Sequence, residues 1–168
     1  MIIKTSFKNL LQETMNTRFD EISWNHEESN IIGVGIIGDL KIQLIISPHT
    51  YRYRKEKKVY TFLNLIFKTW DGSSYSEEMG HIKTDKLSSM ISCITLALQD
   101  KIKDYEWDWF TLIAKNNINS RMKLYSRIAD VISKNMNTKK IMNTNSNEGV
   151  IMLAKNGIDI EGIWDSMK

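Results

Sequence analysis

The run from about Val59 to Trp70 constrains the fold most, because its alternation is typical of a strand with apolar side chains on both faces. A strand of this kind lies in the middle of a sheet that is covered on both sides. The chain must therefore supply flanking strands and covering layers. The apolar residues are Val59, Leu63, Leu65 and Phe67 on one side, and Tyr60, Phe62 and Ile66 on the other.

Strand signals also precede this run. Residues 20–26, in which Ile22 and Trp24 alternate with polar neighbours, predict a first strand. Two further β-rich runs, 31–37 and 40–46, are joined by Gly-Asp, which is a hairpin signal. Nearer the N-terminus, four apolar residues recur at helical spacing behind a capping Ser6, so we expect an amphipathic helix there; they are Phe7, Leu10, Leu11 and Met15.

Helical and strand patterns alternate in the second half of the chain. The predicted elements are a helix over about 85–103, a strand over 107–114, a helix over about 120–135, a short strand over 149–154 and one or two helical turns over 158–167. The stretch 135–148, NMNTKKIMNTNSNE, is polar and is interpreted as a connector.

We therefore expect a single α+β domain over residues 1–168, with two long helices packed on a mostly antiparallel sheet of about five to seven strands. The expected order is an N-terminal helix in 1–18, antiparallel strands in 19–70, helix–strand–helix in 84–135, and a short strand and C-terminal helix in 136–168.

Three glycines, Gly33, Gly35 and Gly38, form a G-x-G-x-x-G pattern. A dinucleotide site needs a helix directly after the motif, because the pyrophosphate rests on that helix's N-terminus. Here the following residues alternate with the period of a strand. The pattern therefore predicts a turn at Gly38, with a bulge or close packing at Gly33 and Gly35, and no phosphate loop.

Composition and spacing favour a binding protein over an enzyme. The net charge is +3, and the single cysteine, Cys93, lies in an apolar helical pattern that predicts a buried, inert thiol. The histidines (His26, His49 and His81) are far apart, and the acidic groups Glu77-Glu78 and Asp104/Glu106/Asp108 are interpreted as solvated. We therefore assign no catalytic residue, metal or cofactor. No apolar run of membrane-spanning length and no secretory signal pattern is present, so we expect no membrane association and a cytoplasmic location.

The segment 51–60, YRYRKEKKVY, is the candidate binding site. Cations bind phosphates and aromatic faces stack on bases, so this composition suits single-stranded nucleic acid. That interpretation requires exposed rings at Tyr51 and Tyr53. The alternative is a solvated loop between two strands, in which like charges discourage edge pairing. The candidate residues are Tyr51, Arg52, Tyr53, Arg54, Lys55, Lys57 and Lys58.

Two phrases carry a family resemblance: FTLIA at 110–114 and SRMKLYSR at 120–127. Together with the preceding strand and helix, they resemble uncharacterised small accessory proteins of tailed, T-even-like bacteriophages, over about residues 58–135. The strand–helix–strand–helix order is also similar to the C-terminal half of the GNAT acetyltransferases. Where those enzymes have a [Q/R]-x-x-G-x-[G/A] turn for the cofactor pyrophosphate, this chain has SEEMGHIKTDK. The resemblance therefore implies a degenerate GNAT-like arrangement whose cofactor site is lost.

From this setting we expect a non-catalytic accessory protein that binds a host or viral protein in the host cytoplasm, as a host-takeover factor or an anti-defence inhibitor. One alternative is a nucleic-acid-binding protein that uses the segment 51–60. Another is a divergent acetyltransferase, in which Tyr125 gives a proton to the leaving thiol; the competing interpretation of Tyr125 is a core residue on the inner stripe of its helix.

Overall fold

The computed structural model describes residues 17–77, 82, 84–115, 118–145 and 147–168. Within them, eight strands form one sheet and three helices pack against it, so the α+β prediction is confirmed, with more strands than expected. The predicted N-terminal helix lies almost wholly outside the described residues. The elements are β1 (Glu21–Glu27), β2 (Asn30–Ile37), β3 (Leu40–Tyr53), β4 (Lys58–Trp70), β5 (Tyr75–Ser76), α1 (Thr84–Ile102), β6 (Trp109–Ala114), α2 (Ile118–Met136), β7 (Thr138–Thr144), β8 (Gly149–Lys155) and α3 (Ile160–Ser166).

The strand order across the sheet is β1-β2-β3-β4-β6-β8-β7, and β5 adds to β4. Strands β4 and β6 pair in parallel, from Phe62 opposite Trp109 to Leu65 opposite Leu112. All the other pairs are antiparallel. A parallel pair needs a crossover connection, and the segment containing α1 supplies it. Among the described residues, no helix combines the length and hydropathy needed to cross a membrane.

One face of the sheet, here called the front face, carries the main core. Helices α1 and α2 cover it, and alternate strand residues supply the apolar floor. Cys93 is fully buried, as predicted, and burial raises the pKa of its thiol to about 11. The central members are Leu44, Leu65, Phe67, Phe110 and Leu112 of the strands and Met90, Ile94, Leu98, Ile128 and Ile132 of the helices.

The opposite face, here called the back face, has a second and smaller core beneath α3. Trp109 lies at its centre, fully buried, and its ring stacks on Phe62 with 5.1 Å between centroids. Ile160 and Ile163 of α3 pack into the same cluster. The two-faced apolar pattern of β4 is therefore confirmed except at Val59, which is 60% exposed. A seven-residue helix provides the back cover and leaves part of this face open.

The glycine interpretation is also confirmed. Gly38 has a φ of +59°, which the turn between β2 and β3 requires. A Cβ atom on Gly33 would lie 2.7 Å from the ring of Trp24, and one on Gly35 would lie 2.7 Å from the ring of Phe19. Both glycines therefore allow an aromatic side chain to pack flat on the strand.

Two predictions about irregular segments are wrong. The segment 51–60 is not a loop, because the hairpin of β3 and β4 extends to Tyr53 and Lys58 and only residues 54–57 form the turn. The connector 135–148 contains β7, which pairs along its whole length with β8. A polar segment can form an edge strand because its backbone needs to hydrogen-bond to only one neighbouring strand, and much of its side-chain surface faces solvent.

Candidate functional site

The segment 51–60, here called the basic hairpin, is the end of the β3–β4 ladder. Tyr51 lies opposite Tyr60, and Tyr53 lies opposite Lys58. Residues 54–57 close the turn, in which Lys57 has a φ of +53° and its N–H donates to the carbonyl of Arg54 at 3.2 Å. The structure thus brings all seven predicted binding residues together at one corner of the sheet.

Two of the three tyrosine rings of the basic hairpin are buried, and the third, that of Tyr51, is partly exposed. Tyr53 and Tyr60 are only 2% and 3% exposed, and Tyr51 packs edge-on against Trp109 with 6.3 Å between centroids. The Tyr60 hydroxyl donates to Glu56 at 2.5 Å, and this bond, together with burial, raises the pKa of Tyr60 to about 12. The exposed ring that base stacking required of Tyr53 is therefore absent.

Hydrogen bonds attach the basic hairpin to α3. The Tyr53 hydroxyl donates to Asp159 Oδ2 at 3.0 Å, and the Tyr51 hydroxyl lies 2.6 Å from Ser166 Oγ. Asp159 also caps α3 by accepting from the N–H of Gly162 at 3.1 Å. These contacts lower the pKa of Asp159, the Gly162 N–H most and the Tyr53 hydroxyl next. The hairpin is consequently held at both of these tyrosines by one helix.

The cations of the hairpin remain in solvent. In the part of the chain that the structure describes, none of them has a carboxylate within 4 Å. Nearby acids have other partners: Glu56 accepts from Tyr60, Glu161 lies 3.2 Å from Lys139, and Asp165 lies 3.2 Å from Lys168. The exposed cations are Arg52, Arg54, Lys55, Lys57 and Lys58.

An open depression of about 750 Å³ lies beside the hydrogen bonds of Tyr51 and Tyr53 and is lined by residues of both the basic hairpin and α3. Three of the hairpin's cations line it, against a single carboxylate, so it presents an excess of positive charge. The arrangement can bind a carboxylate or phosphate group of a partner without breaking an existing ion pair. Its lining residues are Tyr51, Arg52, Tyr53, Arg54, Lys55, Gly162, Asp165 and Ser166.

Tyr125, the proposed proton donor, lies in the front core. It is 1% exposed, and its ring packs edge-on against Phe67 with 5.7 Å between centroids. Burial raises the pKa of this hydroxyl to about 12. The core interpretation is therefore correct, and the side chain is shielded from solvent.

Two of the remaining titratable candidates, Glu77 and His49, have structural partners. Glu77 pairs with Arg121 at 2.7 Å instead of being fully solvated, whereas Glu78 and His81 lie outside the described residues. The ring of His49 stacks on Phe62 with 5.3 Å between centroids. Across the described ranges, no group of three metal-ligating side chains comes together.

Sequence reasoning missed a groove on the back face, here called the back groove. It lies between β4, β6, β8 and α3 and has a volume of about 470 Å³. Two of its lining residues, Asn64 and Trp164, each have a buried polar atom, Oδ1 and Nε1 respectively, without a hydrogen-bond partner among the described residues. The available signal was Asn64 itself, the one polar residue in the run from Phe62 to Phe67. The lining residues are Phe62, Asn64, Thr111, Ile113, Asn143, Asn145, Glu148, Val150, Met152, Trp164, Met167 and Lys168.

Comparison of the chain with protein-family models and with curated proteins finds no match.

Proposed function

We propose that this chain is a non-catalytic accessory protein of a tailed bacteriophage that binds a host or viral protein through the basic hairpin. The observation that carries the proposal is the set of five exposed hairpin cations, none with a carboxylate within 4 Å among the described residues. Unpaired charges of one sign on a fixed support favour association with a surface of the opposite sign. The partner surface is therefore acidic.

The tyrosines support a protein partner over a nucleic acid. Single-stranded nucleic acid is bound by stacking bases on exposed rings as well as by cations. Here Tyr53 and Tyr60 are buried, and the hydroxyls of Tyr51 and Tyr53 hold the hairpin against α3. The rings stiffen the hairpin and so reduce the entropy lost when its cations dock.

The bacteriophage origin in this proposal rests on the sequence resemblance over about residues 58–135. On this resemblance, the chain acts in the cytoplasm of the infected cell and its partner is a protein of that compartment. Host takeover and inhibition of a defence protein are the two roles that such binding serves.

The test uses charge reversal with a matched control. The variant R52E/R54E/K55E reverses three hairpin cations, and K123E/R127E/K134E makes the same charge change on exposed positions of α2. Proteins captured from infected-host lysate by the wild-type chain are identified by mass spectrometry, and the purified partner is titrated against all three chains. Single-stranded DNA and RNA are titrated in parallel, and circular dichroism checks folding.

We expect an acidic protein partner whose affinity falls about tenfold or more in the hairpin variant and weakens with salt, while the α2 variant binds as the wild type does. Equal binding by the two variants would overturn the assignment to the hairpin. Salt-sensitive retention of nucleic acid that only the hairpin variant loses would replace a protein partner with a nucleic acid.

The order of β4, α1, β6 and α2, with β4 and β6 as parallel neighbours, supports a divergent acetyltransferase as the second candidate. It is the order that the GNAT resemblance implies. The burial of Tyr125 argues against its proposed role as the proton donor to the leaving thiol. Calorimetric titration with acetyl-CoA distinguishes the candidates, since saturable binding would favour the enzyme and its absence at millimolar ligand would reject it.

A further inference from the structure

Strand β3 extends further along β4 than along β2. It pairs with β4 over residues 42–53, whereas its pairing with β2 ends at Ile46. In the part of the chain that the structure describes, residues 47–53 therefore have a neighbouring strand on one side, and their other side is here called the open edge. An unpaired strand edge presents backbone N–H and C=O groups that can pair with another chain.

The hydrogen bonds of β4 show which backbone groups of β3 face the open edge. The Thr61 N–H donates to Asp108 Oδ2 at 2.8 Å, and the Thr61 carbonyl accepts from the Asp108 N–H at 2.7 Å. Thr61 thus directs its backbone groups away from β3, and its neighbour Tyr60 directs them towards β3, because they alternate along a strand. Tyr60 lies opposite Tyr51, so the backbone groups of Tyr51 face β4.

The residues on either side of Tyr51 consequently face the open edge. These are Thr50 and Arg52, both exposed, and within the described ranges no hydrogen bond reaches their backbone N–H and C=O groups. Pro48 faces the same side, where its missing N–H removes no bond to β4. The open edge thus offers the N–H groups of Thr50 and Arg52 and the carbonyls of all three residues to an added strand.

The charges at the open edge select the kind of strand that can add. Arg52 lies on it, Arg54 and Lys55 follow in the turn, and none of them has a carboxylate within 4 Å among the described residues. Residues directly opposite each other on paired strands have Cβ atoms about 5 Å apart, where opposite charges stabilise the pair and like charges destabilise it. The open edge therefore disfavours a second copy of itself and favours a strand that carries carboxylates.

The outer strands β1 and β7 are less suited to an acidic partner. On β7, Lys139 and Lys140 already pair with carboxylates, at 3.2 and 2.7 Å. On β1, Glu21 and Glu27 would repel an acidic strand. Of these three edges, the open edge of β3 is the one that combines unpaired backbone groups with unpaired cations.

We propose that the basic hairpin binds its partner by strand addition, in which an extended, acidic segment of the partner protein pairs with the open edge and directs a carboxylate to Arg52. Backbone hydrogen bonds supply affinity in this mode of recognition, and the side chains supply specificity. Further carboxylates of the segment meet Arg54 and Lys55 beyond the last paired residue. The inference rests on the function proposed above, because it specifies how the acidic partner docks.

The experiment titrates synthetic peptides against ¹⁵N-labelled protein. The probe is a capped heptapeptide in which threonine and glutamate alternate. Two further peptides carry N-methyl groups on one alternate set of amides or on the other, which blocks donation on one side of the strand and leaves the charge unchanged. A fourth peptide has lysine in place of glutamate. The protein variants are R52E and, as a matched control at an exposed position of α2, K123E.

We expect the acidic peptide to shift the amide resonances of Thr50 and Arg52 saturably and to slow their exchange with solvent, while the amides of β1 stay unchanged. Affinity should fall about tenfold or more with one methylated peptide, with the lysine peptide and in R52E. It should be retained with the other methylated peptide and in K123E. No binding of the acidic peptide at millimolar concentration, or equal affinity of the two methylated peptides, would overturn strand addition.

Failure of this inference and failure of the proposed function give different results. Equal affinity of the two methylated peptides, together with loss of the protein partner in R52E/R54E/K55E, would reject strand addition and leave the basic hairpin as the docking surface. Retention of the protein partner by that triple variant would reject the hairpin as the docking surface, and strand addition with it.

Discussion

Replacing Glu77 with glutamine should destabilise the protein more than replacing Arg121 with methionine, although both changes break the same ion pair. The guanidinium lies 2.7 Å from the carboxylate, and the two side chains are 7% and 30% exposed, respectively. Arg121 lies near the N-terminus of α2, where the helix dipole disfavours a positive charge. Glu77, from the loop after β5, compensates that charge.

The difference in burial between Arg121 and Glu77 determines how much stability each variant loses. Removing one partner of a fully buried pair costs about 3–5 kcal/mol, because the remaining charge is left uncompensated. Glu77 is partly hydrated, so we expect E77Q to lower the free energy of unfolding by about 2 kcal/mol. At this chain length that corresponds to a fall in Tm of about 4–8 °C. In R121M the remaining carboxylate can reach water, and the loss should be about 1 kcal/mol or less.

Urea denaturation followed by tryptophan fluorescence gives the free energies for the two single variants and for E77Q/R121M. The double variant should be more stable than E77Q, because it contains no uncompensated buried cation. A larger loss in R121M than in E77Q would refute the reasoning, as would a double variant whose losses simply add.

Three further outcomes follow from the packing. The variant W109A should lose about 3–5 kcal/mol in the same urea assay, because it removes the centre of the back core. The variant G38A should lose about 1 kcal/mol and G38N less, because asparagine tolerates the positive φ of this turn. Cys93 should resist a thiol reagent at pH 8 and react only on unfolding, since its pKa is raised to about 11 and the thiol is buried; rapid labelling of the folded protein would contradict this.

Elements that depend on local pattern could be predicted from the sequence. The sequence of the central strand β4 shows two apolar faces directly. Gly38 marks the turn between β2 and β3. Helices α1 and α2 show inward stripes because a helix packed on one sheet must repeat its apolar residues at helical spacing. In each case one periodicity fixes both the element and the face that it buries.

Elements that depend on distant partners could not be predicted in this way. Strand β7 is polar, and its pairing with β8 makes it a strand. The sequence shows the basic hairpin as a cluster of charges. Whether its tyrosine rings are buried depends on contacts with α3 and its N-cap, and Tyr53 lies 106 residues from its partner Asp159 in the chain. The back groove exists only because β4, β6, β8 and α3 meet there. Sequence periodicity records which face of an element is buried, whereas tertiary packing decides which side chains meet on that face and which polar atoms are left without a partner.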